Sequence, residues 1–394
     1  MIESAVFLGA GILLGVFTGL LPGLHPNTVI FGSLPFYLSS NMFFQNYILF
    51  VIGMSVSHTF HDFLPAIYLG APEAETALST LPGGRLAARG EGPKAFHYSV
   101  HGGVYSVLVL TVLSPVLLAG LEPFYARFSG LLPYALLFFL SLIVFRSEKL
   151  VESFTVAALA SLLGILSFDL PINQHYVLVP VFTGLFAVPS ILHAYRTDFD
   201  IPGQKPPRVR EGKAVKGGLT GSMAGLIAGT VPGIGGAIAT TFLSPLLDRE
   251  EEFIAALGGV NTSDILVSFL TVYIIGRARS GAAVAALSIQ RLGPDLMILM
   301  AGAALLAVSV SSVLAVVTSR YFLDLLDRWN LQKVLLSVGM FVLAATLFLT
   351  GLRGVLVLGT STAIGVAALV SGHRANCMAV LIVPVMLSST GIFI

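Results

Sequence analysis

The sequence carries very little charge. Of its 394 residues only 10% are charged and 56% are hydrophobic, whereas about 25% of the residues of a soluble globular protein are charged. So little polar surface excludes a soluble fold. A membrane-spanning helix needs about 20 apolar residues, and this chain has room for about ten such helices. We therefore predict an all-α, polytopic membrane protein with about ten transmembrane helices.

The sequence also has only one cysteine, almost no net charge and no basic residues before its first apolar run. The single Cys377 excludes an intramolecular disulfide and a cysteine-based metal cage. A formal net charge of +1 argues against nucleic-acid binding. The first apolar run starts at Ile2 without a basic leader and ends in a Pro-Gly turn, so we expect no cleaved signal peptide. We expect a multi-pass protein of the cytoplasmic membrane.

Apolar segments recur along the whole chain. They predict helices at 4–21, 26–39, 46–70, 96–119, 131–145, 153–168, 175–194, 217–231, 234–247, 257–275, 293–318, 331–350, 354–371 and 377–393. Some, notably 26–39 and 234–247, are too short to cross a bilayer unaided. We expect these short segments to be half-helices or re-entrant segments.

The longest polar stretch, 195–216, divides the chain into two halves. It contains six basic residues and three prolines, which oppose helix formation. Its basic excess predicts a cytoplasmic loop, although a patch that binds lipid headgroups would fit the same composition. We therefore predict a first transmembrane repeat at 1–194, a basic linker at 195–216 and a second repeat at 217–394.

A glycine pattern recurs in the two halves. Gly11, Gly15, Gly19, Pro22, Gly23 and Leu24 recur at one fixed offset as Gly221, Gly225, Gly229, Pro232, Gly233 and Ile234. Glycines four residues apart let membrane helices approach closely, and the Pro-Gly step then interrupts the helix. One copy could be a packing stripe before an ordinary loop, but two copies at matching positions indicate a transporter binding site. Met1 to Ser4 contains no basic residue while the linker is strongly basic, which places the two on opposite sides of the membrane and favours inverted repeats.

Broken helices supply backbone N–H groups that can bind a carboxylate or phosphate. Inside a membrane such backbone is tolerated only where it is buried in protein or lines a watery cavity. The backbone candidates for substrate binding are Pro22, Gly23, Leu24, Pro232, Gly233, Gly235 and Gly236. The side-chain candidates nearby are Asn27, Thr28, Asn261 and Thr262, for which helix capping is the alternative role.

Several motifs resemble the large membrane subunit of tripartite tricarboxylate transporters, the TctA-like family. They are Gly15 to Leu24, Gly70 to Thr76, Gly83 to Gly92, Gly229 to Ala239, Gly258 to Asp264 and Gly276 to Leu287. The resemblance touches both halves and follows the family's order and spacing. It implies a permease that works with a solute-binding protein and a small membrane subunit.

The loops that follow Gly70 and Gly276 carry opposite charges. The first contains Glu73 and Glu75, and the second contains Arg277, Arg279 and Ser280. Charged groups at membrane depth are costly and usually functional. We expect the two arginines and the serine to bind an anionic substrate, although arginines can also simply end a helix at the cytoplasmic surface. The glutamates would pair with the arginines in the empty state or carry a coupling proton.

Asp62 and Asp264 stand at what we take to be corresponding positions of the two halves. Sodium or proton coordination, or helix capping, fits them best; an intramembrane aspartyl protease dyad is a remote alternative. His58 and His61 share a helical face with Asp62 and would make coupling pH-dependent. A zinc site lacks a third ligand. We predict no metal and no cofactor beyond Na+ or H+ coupling.

Together these features predict a secondary-active transporter of a small organic anion such as a carboxylate, and no enzymatic activity. The main alternative is a translocase of a lipid-linked phosphate or another anionic lipid, which would use the same anion-binding half-helices. The expected partners are the bilayer, the anionic substrate, a small membrane subunit, a solute-binding protein and further copies of the chain.

Overall fold

The computed structural model describes residues 2–21, 24, 26–69, 76, 80–172, 174–196, 202–231, 235–276, 278, 280–328 and 331–389. Within these ranges the regular secondary structure is helical, which confirms the all-α class. The helices of the first half are α1 (Ile2–Leu20), α2 (Pro26–Leu38), α3 (Phe44–His61), α4 (Phe63–Tyr68), α5 (Thr80–Ala88), α6 (Gly92–Phe128), α7 (Leu132–Phe145), α8 (Leu150–Asp169), α9 (Gln174–Phe182) and α10 (Val188–Arg196). Those of the second half are α11 (Glu211–Thr230), α12 (Gly236–Leu243), α13 (Glu250–Ile275), α14 (Gly281–Ile289), α15 (Pro294–Arg328), α16 (Leu331–Ser371) and α17 (Ala379–Ser389).

Seven helical stretches in the described part of the chain are long and apolar enough to cross a membrane. They are Ile2–Leu20, Gly92–Phe128, Leu150–Asp169, Tyr176–His193, Glu250–Ile275, Pro294–Asp324 and Gln332–Ser371. Large apolar side chains such as Phe348 and Val370 are exposed on their outer faces, as expected for helices surrounded by lipid. The multi-pass membrane architecture is thus confirmed, and the number ten remains a prediction.

The core is built from helix pairs that meet through glycine. Helix α1 packs along α3, and α11 packs along α13. A Cβ added to Gly15 or Gly19 would run into the α3 backbone, and one added to Gly221 would run into the α13 backbone. The close helix approach predicted from the glycine pattern is therefore confirmed.

The two halves also pack directly against each other. Helix α6 crosses α13 and α3 packs on α15. At the α6–α13 crossing Gly102 lies against the backbone of Ala255, and Gly258 lies against that of Ser99. A side chain at either glycine would push the helices apart, so backbone-to-backbone contact joins the first half to the second.

A second bundle is formed by α7 to α10, α16 and α17. Helix α8 packs on α17, and α16 packs on the segment from α9 to α10. Gly164 of α8 lies against Val380 of α17, and Gly365 of α16 lies against Leu185. Helix α16 changes direction at Gly351, whose φ of 65° and ψ of −163° are not helical. This break separates two segments close to those predicted at 331–350 and 354–371.

The basic linker is shorter than predicted and docks back onto the first half. Helix α11 already begins at Glu211. Upstream of it, Lys205 donates its backbone N–H to the carbonyl of Gly90 at 2.7 Å. The Gln204 side-chain oxygen accepts from the N–H of Gly92 at 2.9 Å. Residues 202–210 are therefore fixed to the turn between α5 and α6.

Ion pairs join α6, α11 and α13 at their linker ends. Lys94 Nζ and Lys213 Nζ lie 3.0 and 3.3 Å from the carboxylate of Glu251. Lys216 Nζ lies 2.6 Å from Asp248. The Asp248 carboxyl, in the turn before α13, has a lowered pKa because Lys216 donates a hydrogen bond to it.

Short helices α5 and α14 lie in stretches for which the sequence predicts no helix. Helix α5 contains Pro82, Gly83 and Gly84, which are poor helix formers. Helix α14 has only nine residues, so its apolar run is too short to be distinguished from a loop. Helix α5 packs on α4 and α14 packs on α2. Such tertiary packing can stabilise a short helix.

Candidate functional site

Buried polar side chains meet where α3 of the first half approaches α13 of the second. Four come from the first half and two from the second. They are Thr18, His58, Thr59, Asp62, Asn261 and Thr262, each at most 5% exposed. Polar groups inside a membrane bundle are retained where they bond to one another or serve a function. Four of these six residues, namely His58, Asp62, Asn261 and Thr262, are sequence-based candidates; Thr18 and Thr59 are not.

Asp62 is held by the second half of the chain. The Asn261 side-chain amide donates to Asp62 Oδ2 at 2.9 Å and also to the backbone carbonyl of Thr59 at 3.4 Å. The hydroxyl oxygens of Thr59 and Thr262 lie 3.2 Å apart across the same contact. A carboxylate buried in apolar surroundings is costly unless it is hydrogen-bonded or paired. Asn261 therefore stabilises Asp62 from across the interface between the halves.

His58 extends this contact towards α1. Its Nδ1 lies 3.0 Å from the hydroxyl of Thr18, which itself donates to the carbonyl of Gly15. Since that hydroxyl hydrogen is already used, the Thr18 oxygen accepts from His58, and Nδ1 carries the proton. Nε2 then faces Asp62, with 3.9 Å between the two atoms. Protonation of Nε2 or of Asp62 sets the charge of this buried pair.

His61 does not join Asp62 in the way the helical spacing suggests. Its Nδ1 lies 2.7 Å from the backbone carbonyl of Ser57, to which it must donate. Its Nε2 is buried and has no hydrogen-bond partner in the described part of the chain. Because Nδ1 carries the proton, Nε2 offers a lone pair to an incoming donor or proton.

Asp264 occupies the place of His58 in the second half, not that of Asp62. Gly15 of α1 contacts Ser57 and His58, and its repeat equivalent Gly225 contacts Ser263 and Asp264. Asp62 lies one helical turn beyond His58. The expected correspondence of Asp62 with Asp264 is therefore wrong by one turn, because α3 and α13 pair with their partners at a different offset from that of α1 and α11.

A second contact between the two halves lies at α2 and α14. Helix α2 packs on α14. A Cβ on Gly281, the first residue of α14, would overlap the side-chain amide of Asn27. Ser280 caps α14, since its hydroxyl accepts from the N–H of Ala283 at 3.2 Å. Capping is thus the observed role of Ser280, and Asn27 lies against the start of the same helix.

The helix bounds agree with interruptions at both Pro-Gly steps. Helix α1 ends at Leu20 and α2 begins at Pro26, while α11 ends at Thr230 and α12 begins at Gly236. Leu24 donates its N–H to the Leu21 carbonyl at 3.1 Å, and Thr28 lies in the first turn of α2. A Cβ on Gly235 would lie 3.2 Å from Met378, and one on Gly236 would lie 3.0 Å from Val260. The candidates Pro22, Gly23, Glu73, Glu75, Pro232, Gly233, Arg277 and Arg279 lie outside the described residues.

A polar turn before α17 has no counterpart among the sequence-based candidates. This 3-10 turn spans Arg374–Met378. Its Asn376 donates to the backbone carbonyl of Ser153 at 2.7 Å and lies 2.6 Å from the Ser153 hydroxyl. The signal available in the sequence was an arginine and an asparagine between two apolar segments.

Comparison with known proteins identifies relatives of the whole chain. A family model described as the tripartite tricarboxylate transporter TctA family matches residues 5–380. An uncharacterized protein of Methanocaldococcus jannaschii is 30% identical over 402 residues, with 98% of each chain covered. No solved structure matches the sequence significantly.

Proposed function

The chain belongs to the tripartite tricarboxylate transporter TctA family. We propose that it transports a small organic anion, such as a carboxylate, and that this transport is coupled to a proton or sodium gradient. The family is the large membrane subunit of a system that also has a solute-binding protein and a small membrane subunit. We propose that this chain works with partners of both kinds.

The hydrogen bond between Asp62 and Asn261 carries the proposal. It joins α3 of the first half to α13 of the second at 2.9 Å, with both side chains at most 5% exposed. An ionised carboxylate in this position needs a compensating positive charge. A proton on Asp62, a proton on His58, or a sodium ion would each supply it. Binding and release of that cation therefore changes the energy of contact between the halves.

Movement of the halves follows from the same chemistry. With the cation bound, the buried pair is neutral and the α3–α13 contact is favourable. Loss of the cation adds a negative charge to the buried pair, which costs several kcal/mol in a low-dielectric interior. We propose that this difference drives the exchange between outward-open and inward-open states. The two halves would then be inverted repeats that rock about the α3–α13 crossing.

The substrate site is proposed at the contact between α2 and α14. Asn27 lies against Gly281 at the start of α14, so an amide and a helix N-terminus face the same place. Arg277 and Arg279 precede this helix in the sequence. We propose that they bind the substrate carboxylate, with re-entrant Pro-Gly segments lining the site.

The test is transport by purified protein in proteoliposomes, reconstituted with and without a solute-binding protein and small subunit. A panel of radiolabelled di- and tricarboxylates is offered under a proton gradient, a sodium gradient or neither. We expect uptake of one carboxylate class that depends on one gradient. Uptake of no carboxylate, with exchange of an anionic lipid between leaflets instead, would contradict the proposal.

Variants separate coupling from folding. Asp62→Asn keeps the shape of the side chain and removes its charge, so we expect gradient-driven uptake to be lost while the folded yield stays at the wild-type level. Asp169→Asn is the matched control, because Asp169 is an exposed carboxylate at the end of α8. Gradient-driven uptake at the wild-type rate in Asp62→Asn would remove Asp62 from the coupling mechanism.

A further inference from the structure

A partly buried arginine lies in the second bundle, away from the α3–α13 crossing. Arg374 opens the 3-10 turn between α16 and α17. Its Nη2 donates to the backbone carbonyl of Phe186 at 2.9 Å and to the Ser190 hydroxyl at 2.8 Å. The guanidinium carbon also lies 5.9 Å from the centre of the Phe186 ring. One edge of the guanidinium is therefore fixed in place.

The rest of the guanidinium has no acceptor among the residues that the structure describes. Nε is buried and has no hydrogen-bond partner in the part of the chain that the structure describes, and the only hydrogen bonds of Arg374 found there come from Nη2. No Asp or Glu among those residues forms an ion pair with it. A carbonyl and a hydroxyl do not neutralise the charge, so within the described ranges this partly buried cation has no anionic partner.

The acceptors of Arg374 belong to an irregular part of their helix. Phe186 lies in a π-helical turn, Thr183–Ala187, between α9 and α10. Such turns are rare and frequently occur at functional sites. The Phe186 carbonyl also accepts from the Ser190 hydroxyl at 2.8 Å, and Ser190 is only 1% exposed. The site is therefore built from buried, mutually bonded groups and not from surface side chains.

We propose that Arg374 binds an anionic oxygen group, a carboxylate or a phosphate, at the turn between α16 and α17. A guanidinium stays charged at all relevant pH values, and its planar N–H groups match these two anions. Met378, at the other end of the same turn, lies against Gly235, so this turn also packs beside the start of α12. The proposal concerns binding and holds whether or not the chain transports carboxylates.

Binding to the purified protein tests this proposal. The ligand probes are citrate and inorganic phosphate, added to protein in a neutral detergent, and phosphatidylglycerol, supplied in nanodiscs of phosphatidylcholine with and without it. The readout is the shift of the thermal unfolding midpoint with probe concentration, from which the dissociation constant follows. A shift with citrate or phosphate identifies a free anion as the ligand, and a shift with phosphatidylglycerol alone identifies a lipid headgroup.

Two variants and a control locate the effect. Arg374→Gln is expected to lose the shift with the active probe. Arg374→Lys keeps the charge but not the planar N–H arrangement, so we expect it to bind the probe about tenfold more weakly than the wild-type protein. This variant still tests the proposal if the glutamine variant does not fold. Arg353→Gln is the control, since Arg353 is exposed and lies just after the break in α16 at Gly351. Wild-type binding in the lysine variant, or no shift of the wild-type protein with any probe, would overturn the proposal.

Discussion

Replacement of Gly221 by alanine tests the glycine-mediated packing of α11 on α13. A Cβ on Gly221 would lie 2.7 Å from the Ala256 carbonyl oxygen and 2.8 Å from Gly259 Cα. Ordinary van der Waals contact begins at 3.4 Å. Both neighbours are backbone atoms, so no side chain can rotate away, and the two helices must separate.

The size of the effect follows from two opposing terms. Overpacking a well-packed contact costs about 1–3 kcal/mol. Glycine-to-alanine replacement inside a helix by itself gains about 0.5–1 kcal/mol. At Gly302 of α15 a Cβ would meet no atom within 4 Å, so Gly302→Ala shows the gain alone. We expect Gly221→Ala to be less stable than Gly302→Ala by the overpacking term, about 1–3 kcal/mol.

The measurement is a denaturant titration of each purified variant in detergent micelles, followed by far-ultraviolet circular dichroism. The wild-type protein, Gly221→Ala and Gly302→Ala are compared under identical conditions. Equal midpoints for the two variants would refute the argument that α11 and α13 meet backbone to backbone at this residue.

Three further changes have expected outcomes. Gly276 has a φ of +70°, so Gly276→Ala should lower the free energy of unfolding by about 1 kcal/mol in a denaturant titration; an unchanged value would contradict a left-handed end of α13. Asn376→Leu leaves the Ser153 carbonyl and hydroxyl without this donor and should cost about 1–3 kcal/mol in the same assay, whereas wild-type stability would show that water replaces the amide. The hydrogen bond from Lys216 lowers the pKa of Asp248, so its stabilising effect is present above the unfolded-state pKa, near 4, and is lost as the pH falls through the lowered pKa. Asp248→Asn should therefore lose less stability than the wild-type protein on acidification below about pH 4, and parallel pH profiles would exclude this ion pair as a cause.

Composition and periodicity were sufficient for the fold class because the physics of the bilayer leaves few choices. Long apolar runs such as the one in α15 must be helices in lipid. The glycines of α1 and α11 predicted close packing correctly, since a residue without a side chain at every fourth position has few other uses in a membrane helix. The short helices α5 and α14 were missed because packing on neighbouring helices stabilises them, and local helix propensity does not indicate such packing.

The candidate site was predicted only in part. Asp62 and Asn261 stood out in the sequence as separate candidates, but their hydrogen bond depends on where α3 crosses α13, which no local pattern encodes. Asp62 and Asp264 were paired by their place beside apolar runs, and the contacts of Gly15 and Gly225 show that Asp264 instead corresponds to His58. Arg374 was missed because its acceptors, near Phe186, are distant in the sequence.

The backbone contact between α6 and α13 constrains how the protein is made. Gly102 and Gly258 face each other's helix with no side chain between them, yet α13 leaves the ribosome only after the linker. Until then Asp62 lacks Asn261, and Gly102 of α6 lacks the α13 backbone on which it packs. A chain that stops at the linker should therefore be recognised by membrane proteases as incomplete, and coexpression of the second half as a separate polypeptide should rescue it.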